Sequence, residues 1–518
     1  MVLQHNFDMA AEPRVSLIAF VWRPQEITPA VLQMAQRTGS RAIFDFSTLG
    51  VDEIRSCLRM ADPAGHVRDI KLSAPAFLDS ALEPLLRETG VQNIWVECPP
   101  LFKHDNPPLF FQRLRELSAT CRCFPITGDI DLLAVLIKEN PGVGRIVLKG
   151  CEASGFVGAE TTTALYSMLM AMLPAPAKSL DILLWGGVAS PEAAAAFLST
   201  GAAGIVFESL HWLTDGVAID QVQRQRLARL RLDASDLVGL NLQVPCRLFN
   251  KGNSLAFKEI KTFEDSLYGA KVSEESRRAF ISQVLARSLH PLESQFGPDE
   301  VIPLGVEAAF AASFVERFGA GTEVAIQAFM DQIRSLCRQA EAKKAGFLDS
   351  PVAAEMGTRY PFIQGAMSWI TDVPEFAASV ADAGGLPTIA LGLMDAATLD
   401  RRLGRLPEIM GGRPYALNVV TLAENPFREI HLAWIKQQRP RFVVVAGGDL
   451  SHLRELLECG LEVIYLAPDE ALLRLALEAG VKYLACEGYE AGGHVGRHST
   501  LTLAQAVLEL KRRTPSLF

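Results

Sequence analysis

The chain reads as an α/β protein: two tandem TIM-type (β/α)8 barrels joined by a helical connecting region, the second truncated after about six strands. Three observations predict this. Short continuous apolar runs alternate with amphipathic helical stretches, the alternation breaks once mid-chain, and a ten-residue peptide occurs twice. Strands that are apolar throughout are buried on both faces, which marks a parallel sheet covered by helices.

Eight apolar runs precede residue 215: VSLIAFVW (15–22), RAIFDF (41–46), IKLSA (70–74), NIWVEC (93–98), CFPIT (123–127), RIVLKG (145–150), DILLWGG (181–187) and AGIVFES (203–209). Eight is the number that closes such a barrel. Between them SALEPLLRETG, DLLAVLIKEN and SPEAAAAFLSTG space their apolar residues three or four apart and often end in Gly, as helices do. Residues 1–215 are therefore expected to form the first barrel. Residues 216–350 carry long charged helical stretches, AIDQVQRQRLARLRL and TEVAIQAFMDQIRSLCRQAEAKKAG, and predict a mainly helical connecting region. Strand signals resume in 351–518, at YPFIQGAM (360–367), PTIALG (387–392), YALNVV (415–420), RFVVVAGG (441–448), LEVIYLA (461–467) and VKYLACEG (481–488).

Composition narrows the function. The 518 residues are 49% hydrophobic and 21% charged, a balance that buries large cores. Lys and Arg number 50 against 59 Asp and Glu, a net charge of −9 with no basic block, so a nucleic-acid partner is not expected. Nine scattered cysteines without C-x-x-C spacing predict neither a disulfide framework nor a metal site, and point to a reducing, cytoplasmic setting. The opening MVLQHNFDMAAEPR lacks a basic start followed by an apolar stretch, and no run of about 18 apolar residues occurs. Neither an export signal nor a membrane span is expected.

KGCEASGFVG (149–158) and EGYEAGGHVG (487–496) match at six of ten positions with a constant offset of 338. Each follows the sixth strand of its half and leads through a Ser/Thr-rich turn into an apolar helix, which indicates duplication at a period too long for a solenoid. The first copy goes on to DILLWGG and AGIVFES, strands seven and eight. The second goes on only to LAQAVLELKRRTPSLF. A barrel lacking its last two strands exposes hydrogen-bonding edges, so a longer polypeptide or another chain is expected to supply them.

The loop at 490–496 would lie at the carboxyl end of a strand, the face where parallel barrels build their sites. Gly492 and Gly493 lack Cβ, so a planar or phosphate-bearing ligand can approach the backbone. His494 follows, with an ordinary pKa suited to passing one proton near neutrality; the plainer reading is a loop hydrogen bond. In QGAMSW (364–369), Met367 offers a polarisable face to a ring system or fills the core. Asn418 is an amide inside an apolar strand and needs a partner, either a ligand or a neighbouring backbone group. Glu152, in the first copy of the repeat, reads as a structural carboxylate or, less simply, as a base.

These peptides together resemble the nitronate monooxygenase (2-nitropropane dioxygenase) family, which includes FMN-dependent enoyl reductases. Gln364, Gly365 and Met367 match its opening Q-G-x-M, and Asn418 matches an Asn of its third strand. EGYEAGGHVG matches its Q-G-x-E-A-G-G-H-x-G, with Glu487 where many members have Gln. The resemblance covers residues 355–518. It implies a TIM barrel holding FMN non-covalently, with Gln364, Gly365, Met367, Asn418, Glu487, Gly492 and Gly493 toward the flavin and His494 as proton-transfer residue. The family's FMN phosphate sits by a Gly-Gly loop after strand seven and the loop of strand eight. The first barrel keeps Gly186 and Gly187 there but has Phe156 at the His494 position and FVWRP at that of QGAMS. It is similar in architecture and degenerate in chemistry.

The order of a His-less barrel, a helical stretch and a His-bearing barrel resembles the amino-terminal region of some modular polyketide or fatty-acid-like synthases. That implies acyl-carrier and ketosynthase domains as partners, a carrier-bound enoyl thioester as substrate, and NADH or NADPH as reductant. Oxidation of alkyl nitronates with O2 is the alternative chemistry, and a non-catalytic scaffold of docking barrels the third reading.

Overall fold

The computed structural model describes residues 16–98, 107–139, 143–173, 180–251, 254–269, 271–346, 348–447, 450–493 and 495–517. The chain divides into two compact units, Met1–Arg338 and Gln339–Phe518.

In the first unit eight parallel strands close a barrel: β1 (Leu17–Trp22), β2 (Arg41–Asp45), β3 (Asp69–Leu72), β4 (Asn93–Glu97), β5 (Arg122–Thr127), β6 (Arg145–Lys149), β8 (Asp181–Trp185) and β9 (Gly204–Phe207). Closure is the pairing of β1 with β9, Leu17 opposite Gly204. A Cβ on Gly204 would meet the Leu17 carbonyl at 2.3 Å, so this seam requires glycine. Ala19, Val21, Ile43, Trp95, Phe124, Val147, Leu183, Trp185 and Val206 fill the barrel interior, with the rings of Trp95 and Phe124 stacked 4.1 Å apart. Helices are punctuated as the sequence indicates. Thr28, Ser73, Thr161 and Ser190 each cap a helix with the side-chain oxygen, and Gly39 ends Pro29–Thr38 in the left-handed conformation.

The connecting region is more than helical, and most of it clusters with the barrel. The two-residue β7 (Gly155–Phe156) emerges from the loop after β6. It pairs antiparallel with β11 (Cys246–Phe249), which pairs with β10 (Ser235–Val238). These strands escape sequence reading because they are short, and β7 finds its partner about ninety residues away in the chain. Val238, Leu242, Val244, Cys246, Leu248, Ile260, Phe280 and Val284 form a separate core beneath them, against which Phe156 packs.

The second unit holds an open parallel sheet in the order β12 (Thr388–Ala390), β13 (Ala416–Val420), β14 (Phe442–Ala446), β15 (Glu462–Ala467) and β16 (Tyr483–Cys486). YPFIQGAM contributes a single parallel bridge, Ile363 to Leu386, rather than a strand. The sheet's two faces differ. Leu417, Val419, Val443, Val445, Val463 and Tyr465 pack under the helices with Leu399, Leu432, Leu453 and others. The opposite face carries the smaller cluster of Leu386, Ala416, Phe442, Val444 and Ile464. Among the described residues no helix is long and apolar enough to cross a membrane.

Candidate functional site

Asn418 stands two residues beyond Ala416, so strand alternation puts it on the face with the smaller cluster. Its Nδ2 donates to the Val444 carbonyl at 3.2 Å, so the amide inside an apolar strand is partnered by neighbouring backbone. Gln364 is spent locally in the same way. Its N–H donates to the Leu386 carbonyl, its Oε1 accepts from the Thr388 N–H at 3.2 Å, and its Nε2 bonds the Gly365 carbonyl. This clamps the segment after the bridge onto β12.

Beyond the clamp the chain opens. Apart from its two chain neighbours, no described residue has an atom within 4 Å of where a Cβ on Gly365 would stand, and Met367 is 43% exposed, which rules out core filling as its role. A turn holds Met367: its N–H donates to Thr371 Oγ1 at 2.9 Å, and that hydroxyl donates to the Met367 carbonyl. Phe362, Trp369 and Ile370 on this segment are exposed as well, with Trp369 at φ +70°.

Glu487 follows β16 and closes the repeated loop. Its N–H donates to the Ala467 carbonyl, and its own carbonyl accepts from the Gly496 N–H at 3.0 Å. Gly492 and Gly493 are exposed; among the described residues nothing lies within 4 Å of where a Cβ on either would stand, and Gly493 sits at φ +91°. His494 lies outside the described residues. Sequence reasoning missed what holds the loop: Glu490 accepts from the backbone N–H of Thr500 at 2.8 Å and from its hydroxyl at 3.1 Å, at the start of helix Thr500–Arg513. A carboxylate at a helix N-terminus satisfies an otherwise unpaired donor and complements the helix dipole.

The first copy of the repeat is built on the same bonds, position for position. Glu152 accepts from the Thr162 N–H at 2.9 Å and its hydroxyl at 3.1 Å. Cys151 N–H to Glu160 O matches Tyr489 N–H to His498 O, and Ala153 N–H to Gly150 O matches Ala491 N–H to Gly488 O. Glu152 is thus a helix-capping carboxylate. The signal that could have found both caps is the offset of 338 itself, which lays Thr162 over Thr500.

The mouth of the first barrel carries a buried charge cluster that the sequence reading did not single out. Lys71, at the end of β3, lies 2.8 Å from Asp45 and 3.1 Å from Glu97; Lys149, at the end of β6, lies 2.7 Å from Glu97. Both ammonium groups stand 5.3 Å from the ring centre of Trp185, whose Nε1 donates to Glu208 at 3.3 Å. Burial works against each charge, but the pairing outweighs it. Glu97 is held down to about 2 by Lys149 and Lys71 against desolvation, and Asp45 is lowered by Lys71 in the same way. Lys71 is raised against desolvation by Asp45 and Glu97, so it stays protonated and is no nucleophile. The visible signal was a Lys inside each of two apolar strands, IKL and VLK.

The two units differ in the space they leave beside these loops. In the first barrel, the space left among Trp22, Arg23, Asp45, Glu208, Trp212 and His290 is about 10 Å³, room for about one water. Gly186 and Gly187 face Ala153 and Glu152 so closely that a Cβ would stand 2.8 Å and 2.9 Å from them. Among the described residues that space leaves no room for an isoalloxazine. In the second unit Gly365, Gly492 and Gly493 leave the backbone open, and Met367 offers an exposed thioether, which suits the edge of a planar ring.

No family model matches the chain. It is 25% identical over 187 residues to a protein of Staphylococcus saprophyticus named probable nitronate monooxygenase, an alignment that takes in 29% of this chain. The chain spans about half, 52%, of the length of that curated relative. Among solved structures, FabK of Thermotoga maritima is similar at 14% identity and a TM-score of 0.48, covering 64% of this chain and 96% of that one. The enoyl reductase domain of MlnA from the macrolactin cluster of Bacillus amyloliquefaciens is 11% identical with a TM-score of 0.45, over 63% and 96%. Nitroalkane oxidase of Streptomyces ansochromogenes is 10% identical with a TM-score of 0.41, over 62% and 96%.

Proposed function

We propose that the chain is a flavin-dependent oxidoreductase region that reduces the double bond of a carrier-bound enoyl thioester within a polyketide or fatty-acid-like synthase. Residues 351–518 take the FMN, and the first barrel, residues 1–215, has a structural or substrate-docking role. One observation carries this reading. The E-A-G-G-H-V-G loop has the hydrogen-bonded frame of its buried copy, yet holds Gly492 and Gly493 in open space after a parallel strand.

Gln364, Gly365, Met367, Asn418, Glu487, Gly492 and Gly493 would hold and orient FMN, and His494 is the proton-transfer residue. When bound, FMN supplies hydride transfer to the β-carbon, with NADH or NADPH as the source of electrons. His494 provides the proton at the α-carbon. Gln364 and Asn418 would act through the backbone they clamp, Gln364 on β12 and Asn418 on β14, keeping these strands in register. The name of the curated relative favours a second reading, in which His494 removes a proton from the carbon beside a nitro group and the alkyl nitronate is oxidised with O2.

Purification followed by a visible spectrum separates catalysis from scaffolding, because absence of bound flavin removes both chemistries. With flavin present, anaerobic reduction by NADH or NADPH and reoxidation by a crotonyl-type thioester supports the first reading, and oxygen uptake with a nitronate the second. His494→Ala is expected to leave FMN binding largely intact and to lower turnover about 10²-fold or more, the usual scale for a lost general acid or base. Unchanged turnover removes His494 from the mechanism.

A further inference from the structure

The loop after β9 turns three successive backbone N–H groups onto one carboxylate. Ser209 and Leu210 donate to Glu307 Oε1 at 2.8 and 2.6 Å, and Glu208 donates to Oε2 at 3.4 Å. Successive amides that converge on one group form an anion-binding nest. In parallel barrels the loops after the seventh and eighth strands are a frequent phosphate site, and β8 and β9 are the seventh and eighth strands of this one.

Glu307 is 3% exposed, so its carboxylate and not solvent fills the nest. The short helical turn Val306–Phe310 delivers it, and that turn is seated on the first copy of the repeated loop. Val306 N–H donates to the Glu152 carbonyl at 2.9 Å, and a Cβ on Gly305 would stand 3.1 Å from that carbonyl and from Ser154 N. The other carboxylate nearby is that of Glu208, which is held by Ser154 Oγ at 2.5 Å and by Trp185. Burial, opposed by the Ser209 N–H and reinforced by the charge on Glu208, pushes the Glu307 carboxyl up to about 8. Hydrogen bonds and chain connectivity hold this group in place, with no ion pair needed.

We propose that the three N–H groups of residues 208–210 form a subsite for the oxygens of a carboxyl or phosphate group, that its resident ligand is the chain's own Glu307, and that this self-ligation closes the first barrel to a phosphorylated cofactor. The inference concerns the first barrel alone and stands whether or not the second unit carries flavin chemistry.

The test is chemical rescue in the full chain. Unfolding midpoints of wild type and Glu307→Ala are followed by tryptophan fluorescence in formate, in inorganic phosphate and in chloride at matched ionic strength. Trp22, Trp95, Trp185 and Trp212 report on the first unit. The variant is expected to melt at least about 5 °C below wild type in chloride, and to regain about half of that in formate or phosphate, while wild type is the same in all three. Rescue by formate alone marks a carboxylate-sized site, and rescue by phosphate marks a site that also takes the larger anion; either supports self-ligation. An Ala variant indifferent to the anion overturns it, as does a wild type that responds as strongly. Should Glu307→Ala be insoluble in chloride, soluble recovery on adding either oxyanion supports the site, and equal insolubility in all three buffers overturns it.

Discussion

Glu152 and Glu490 make the same two hydrogen bonds, to the N–H and hydroxyl of Thr162 and of Thr500, in opposite settings. Glu152 is 2% exposed, roofed by Gly305 and Val306 and pressed against Gly187. Glu490 faces solvent. The residue four places on differs too: Phe156 is stitched into a sheet opposite Cys246, whereas the second copy has His494. Local bonds and close glycine contacts therefore set the loop's shape, while the chain packed over it sets whether anything else can reach it. One copy is a packing surface, and the other, among the described residues of its own unit, is left uncovered at Gly492 and Gly493.

The sharpest way to break the equivalence is at the glycines that let the capping helix approach. A methyl on Gly150 would meet Thr162 N at 2.4 Å, and one on Gly488 would meet Thr500 N at 2.1 Å. Backbone cannot yield as a side-chain end does, so Gly150→Ala and Gly488→Ala are each expected to cost about 3 kcal/mol or more, the upper end of overpacking. Denaturant titration of the two variants checks this. If one is tolerated, the two loops are not built alike.

The barrel was legible because its strands are continuous apolar runs of the right number and spacing, and all eight runs before residue 215 form strands. The repeated loop was legible for a related reason: Gly150 and Gly158, like Gly488 and Gly496, are fixed by close contacts with neighbouring backbone, and such requirements survive as identities. The roof over the first mouth was not. SDLV and CRLF are too short and too polar to announce strands, and the pairing of CRLF with Gly155–Phe156 is long-range. Glu307 is one Glu in VEAAF, and only the orientation of three amides nearly a hundred residues earlier gives it a role. Asn418 was visible as a polar residue in apolar surroundings, but sequence cannot tell a ligand from the carbonyl of Val444 as its partner.

The two capping carboxylates should separate by burial. Glu152→Ala leaves the Thr162 N–H without its partner in a dry interior and opens a void beside Gly187, so a loss of about 2–3 kcal/mol is expected from an unpaired buried donor. Glu490→Ala removes the same bonds where water can replace them, which should cost about 1 kcal/mol or less, as for exposed helix caps. Urea midpoints of the two variants measure the gap. Equal losses would mean that the roof over the first copy contributes nothing to its loop.

The smallest effect on stability is expected at Gly492, and it discriminates most finely between an open mouth and a mere gap. Apart from its two chain neighbours, no described residue has an atom within 4 Å of a Cβ there, and unlike Gly493 the residue does not require a left-handed backbone. Gly492→Ala should therefore fold within about 0.5 kcal/mol of wild type, the range of surface substitutions that touch nothing. If Gly492 is open so that a planar ring can approach the chain, the same methyl should lower the flavin retained on purification, read as the ratio of visible to ultraviolet absorbance. An unchanged ratio with unchanged stability would leave the openness of that loop without a ligand to explain it, and the contrast with the sealed copy would then be one of packing alone.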